Sequence, residues 1–65
     1  MIFGKALAIE IKYAGMSKSE FARRIGVTKK TVFLWLNGTH IPARYYLEKM
    51  SEVLDCSLEH LLGYF

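Results

Sequence analysis

The sequence predicts an all-α domain of five short helices, and three observations predict it. Apolar residues recur at intervals of three and four along most of the chain. Ser17, Thr28 and Ser57 stand where helices would begin, and Gly26, Gly38 and Gly63 stand where they would end. No stretch carries a strand signal. At 65 residues the chain reads as one domain, residues 1–65, with no room for a second. So small a domain buries only about 60% of its unfolded surface. Four Phe, four Tyr and one Trp in a 52% hydrophobic sequence suit that demand.

Each element has its own warrant. Phe3, Leu7, Ile11 and Ala14 fall at helical spacing and predict a first helix over about residues 3–14. A second stripe, Ile2, Ala6, Ile9 and Tyr13, runs beside the first with Glu10 between them. It is either a half-covered flank or a subunit contact. Ser17 followed by Glu20 forms a capping box that opens a second helix, with Phe21, Ala22 and Ile25 inward and Arg23 and Arg24 outward. Gly26 stops it and Val27 anchors the turn. Thr28 caps a third helix, Lys29 to Leu36, with Val32, Trp35 and Leu36 inward. Asn37-Gly38 ends that helix, and after Thr39-His40-Ile41, Pro42 marks the approach to a fourth. Leu47, Met50 and Leu54, with Val53 alongside, give its core edge. Asp55-Cys56 makes a turn, and Ser57 caps a short fifth helix with Leu58, Leu61 and Leu62 inward.

Charge is unevenly spread along the chain. The total is +3, divided as +5 over residues 16–44, −3 over 45–65 and +1 over 1–15. One positive surface set against a negative one suits a polyanionic partner. The single cysteine, Cys56, has no internal partner. With no secretory pattern, a reducing, cytoplasmic setting is expected. No apolar run approaches the roughly 18 residues of a membrane span. His40 and His60 with one Cys show no metal spacing. There is no acid/base pair, glycine-rich phosphate loop or Ser/His/Asp set. The sequence therefore predicts no enzyme, no cofactor, no metal and no small-molecule substrate.

Two short helices joined by a glycine turn, the first with Ala22 at its middle, form a helix-turn-helix over about residues 17–25 and 28–36. Ala22 is small because the next helix crosses over it. The stretch from Gly15 to Gly38 resembles the helix-turn-helix of the Cro/phage-repressor (xenobiotic-response-element type) family. The likeness continues through Pro42, Leu47, Met50, Leu54, Cys56-Ser57-Leu58 and Leu61-Leu62, nearly the whole chain. It implies a five-helix, lambda-repressor-like fold and a dimer that binds operator DNA and regulates transcription. There are two departures. Lys18 stands where the family usually has Gln. Ile11 and Leu36 stand where many members pair Arg with Glu, and an apolar pair there leaves the fold intact.

By that resemblance the first turn of helix three reads base edges. Lys29 and Lys30 become candidates for guanine O6 and N7, or else for phosphates alone. Leu34 could meet thymine methyls or pack half-buried beside Trp35, which itself reads as core. Phe33 is outward, with groove contact, partner contact and simple exposure all open. Ser17, Lys18, Thr28, Thr31, Asn37 and Arg44 are phosphate candidates, helped by the N-termini of helices two and four. Double-stranded operator DNA is the expected partner, bound as a homodimer. The C-terminal edge of Leu62, Tyr64 and Phe65 is the expected contact, and the Ile2/Ile9/Tyr13 stripe its alternative. Two other functions share the fold. One is a protein-binding adaptor or antitoxin using Phe33, Leu34, Tyr45 and Tyr46. The other is an architectural or excision factor that bends DNA.

Overall fold

The computed structural model describes residues 2–65 and contains five helices and no strand among them. They are α1 (Phe3–Tyr13), α2 (Lys18–Ile25), α3 (Lys29–Leu36), α4 (Arg44–Val53) and α5 (Leu58–Leu62). The capping residues explain these bounds. Ser17 accepts from the Glu20 amide, Thr28 from the Thr31 amide and Ser57 from the His60 amide, each with the extended backbone of a cap. Only half of the expected capping box forms. Glu20 turns away from Ser17 and takes Arg24 instead, at 2.8 Å, a pair one helical turn apart.

The core draws on every helix. Phe3, Leu7 and Ile11 meet Phe21, Ala22, Ile25, Val32, Trp35, Leu47, Met50, Leu54 and Leu61, all buried. Two expected core positions lie elsewhere. Ala14 is exposed because α1 ends at Tyr13 and Ala14 only caps it. Leu62 is 42% exposed because α5 is short and Leu61 alone of its residues points fully inward.

At the α2–α3 corner, Gly26 adopts φ 93°, which a side chain would strain. The Gly26 and Val27 amides both donate to the Ala22 carbonyl, at 2.9 and 3.0 Å, and so close the turn. A different glycine fixes α3 from behind. At Gly4, α1 runs against the end of α3 so closely that a Cβ would collide with the Leu36 carbonyl oxygen and lie 3.0 Å from that of Trp35. No residue near Gly4 in the sequence signals this crossing.

The C-terminal residues fold back on α1. Phe65 stacks on Phe3 with ring centroids 4.4 Å apart and planes 14° from parallel. Tyr64 donates to Glu10 at 3.0 Å, and His60 Nε2 lies 2.8 Å from the same carboxylate oxygen. A carboxylate only accepts, so His60 carries a proton on Nε2. The His60 bond, aided by Tyr64, holds the Glu10 carboxyl below the usual carboxylate range, although burial works the other way. Glu10 in turn keeps the Tyr64 phenol above its ordinary value. Burial raises the half-buried Cys56 thiol, which stays protonated near neutral pH.

Candidate nucleic-acid interface

The site is built on α3, whose two faces differ in chemistry. Val32 and Trp35 are buried, and Trp35 is held by Tyr46 at 5.5 Å between ring centroids. Opposite them Lys29, Lys30, Phe33 and Asn37 are exposed, and Leu34 is half-buried. No other helix covers that second face, and its leading turn is doubly basic. An exposed α-helix of this width fits the major groove of duplex DNA, about 12 Å across.

Around α3 the structure gathers part of the expected set. Ser17, Lys18 and Lys29 line one open surface groove, so the start of α2 and the start of α3 present their charge together. Lys12, from the last turn of α1, lines the same groove. Sequence reasoning passed over Lys12. Its one visible signal was a basic residue five positions before the Ser17 cap, and only the fold shows where α1 ends.

The remaining candidates are placed differently. Thr28 is occupied as the cap of α3, and its hydroxyl lies 3.1 Å from that of half-buried Thr31. The Asn37 side-chain oxygen accepts from the Thr39 amide at 2.8 Å and leaves its amino group free. Arg44 is exposed and loosely paired with Glu48 at 3.3 Å. So exposed a pair holds little energy against a competing phosphate. The N-cap of α4, Ala43, offers no side-chain oxygen, so the first amides of α4 remain open to an anion.

The two surfaces offered for dimerisation meet at Tyr64. Tyr64 lines one apolar groove with Ile2, Ala6 and Ile9. Ile2 and Ile9 are each more than half exposed, Tyr13 is 86% exposed, and Leu62 also points out. Tyr64 and Phe65 themselves are already engaged with α1.

No group of three or more His, Cys, Asp or Glu side chains that could hold a metal ion occurs among the described residues. None of the described helices is long and apolar enough to cross a membrane.

Comparison with known proteins agrees with this geometry. Residues 12–61 match the family described as helix-turn-helix. The chain is 32% identical over 66 residues to the 26 kDa repressor protein of Escherichia phage HK022, covering 95% of this chain and 28% of that protein. It is 46% identical over 43 residues to an uncharacterized HTH-type transcriptional regulator of Haemophilus influenzae, covering 66% of this chain and 18% of that one. The chain thus spans less than a third of the length of either relative. No solved structure matches it.

Proposed function

The chain belongs to the helix-turn-helix family of the Cro and phage-repressor type, and on that premise we propose that it binds operator DNA sequence-specifically and represses transcription. One observation carries the proposal: α3 presents Lys29 and Lys30 on a free leading turn while Val32 and Trp35 anchor its other face in the core. In the groove Lys29 and Lys30 meet base edges, with guanine O6 and N7 the natural acceptors. Ser17, Lys18, Thr28, Thr31, Asn37 and Arg44 take backbone phosphates, and Lys12 joins them. Such contacts fix register and affinity, and the base contacts choose the sequence.

One module of this size covers roughly 600–1,000 Å² of DNA-facing surface. Useful affinity then calls for two copies on half-sites about 34–36 Å apart. The apolar stripe of Ile2, Ile9 and Tyr13, bordered by Tyr64, is the contact we assign to that dimer. Changing Ile9 to Asp should abolish the dimer in sedimentation experiments while leaving helix content intact.

The deciding experiment is titration of duplex DNA at several salt concentrations, with Lys18→Ala beside the wild type. Affinity should fall steeply with salt, and the variant should lower the log–log slope by about one for each bound copy, about two for the dimer. Salt-independent binding, or no binding, would refute the proposal. A second reading has one observation behind it. Phe33, Ile41 and Tyr45 are each 59–62% exposed, which would suit a protein partner of an adaptor or antitoxin. Salt-insensitive capture of a protein, with no DNA affinity, would favour it.

A further inference from the structure

We infer that Phe33 and Leu34 read the C5-methyl groups of thymine, so that each half-site sets thymine one or two base pairs from a guanine held by Lys29 or Lys30. The inference rests on the DNA-binding reading and specifies what that surface selects. It starts from what the free face of α3 lacks. Bidentate recognition of adenine needs a side chain that donates to N7 and accepts from N6. Asn37 is the one amide on this face, and its oxygen already accepts from Thr39 at 2.8 Å. The Thr31 hydroxyl is half-buried against Thr28. What remains is two cations and two apolar side chains. The cations match guanine, and apolar surface in the major groove matches the thymine methyl.

The exposures and spacing agree. Phe33 is 59% exposed in the free protein, and Leu34 beside it is half-buried, so the pair forms a ledge rather than a pocket. The lysines one turn earlier identify the occupant, because a ledge fronted by two cations faces a polyanion before any apolar partner. With a rise of about 1.5 Å per residue, Phe33 and Leu34 lie about 4.5 and 6 Å beyond Lys30 along the helix. At about 3.4 Å per base step, that is one to two base pairs from the guanine contact.

Selection from two random duplex libraries, one made with thymine and one with uracil, tests this without altering the protein. Uracil lacks only the methyl group. The thymine library should enrich a motif with thymine one or two base pairs from guanine, and the uracil library should keep the guanine and lose the preference at the thymine position. Titration of the selected duplex should then show about a fourfold loss of affinity for each thymine replaced by uracil, the worth of one buried methyl. Phe33→Ala and Leu34→Ala should each reduce that penalty while leaving the guanine preference intact. An equal preference in both libraries would overturn methyl reading and leave operator binding standing. No enriched motif in either library would overturn both.

Discussion

Gly4 offers the sharpest test of how α3 is held. Replacing it with Ala adds one methyl group, and on an ordinary helix that would help, since Ala is favoured over Gly by about 1 kcal/mol. Here the new Cβ would meet backbone. It collides with the Leu36 carbonyl oxygen and lies 2.9 Å from the Leu36 carbonyl carbon and 3.0 Å from the Trp35 oxygen. A side chain could rotate away; a helix backbone cannot. Overpacking costs about 1–3 kcal/mol, and a rigid obstacle belongs at the upper end. After the propensity gain, Gly4→Ala should be destabilised by about 2 kcal/mol. For a domain of this size that lowers Tm by about 10 °C. Thermal and urea unfolding followed by helical circular dichroism would measure it, with Ala8→Gly on the exposed flank of α1 as control. The control should lose about 1 kcal/mol from propensity alone. A Gly4→Ala protein as stable as wild type, or more so, would refute the close α1–α3 crossing.

Three further outcomes follow from the structure. Lys12→Ala should lower the salt slope of DNA binding by about one per bound copy, as for Lys18→Ala, because both line the groove with Lys29; duplex titrations across salt would read it. Glu10 has a depressed carboxyl in the folded state, so its stabilisation is present above the ordinary carboxylate range and lost as pH falls through the folded value. The Tm difference between wild type and Glu10→Gln should therefore be constant near neutral pH and shrink in acid, and thermal melts across that range would show it. Ser57→Ala removes the cap of α5 and should cost about 1 kcal/mol in urea unfolding without changing the salt slope of DNA binding.

Much of the fold was legible because its signals are local. Ser17, Thr28 and Ser57 announce helices within a few residues of themselves, and all three make the expected cap bond. The inward stripe of α3 follows from its 3.6-residue period, which also leaves Lys29 and Lys30 outside. What escaped sequence reasoning is whatever depends on distant residues meeting. Gly4 looks like any helical glycine until Leu36 is brought against it. Glu10 is separated from His60 and Tyr64 by 50 and 54 residues, and the three share one carboxylate only because the C-terminal residues fold back on α1. Lys12 gained its place beside Lys18 and Lys29 in the same way. The capping box half failed for an energetic reason: Arg24, one turn along the same helix, offered Glu20 a charged partner, where the Ser17 amide offered a neutral one.

The stacked rings of Phe3 and Phe65 bring the beginning and the finish of the described chain to a single spot on the domain. A segment attached at either place would leave from the same patch.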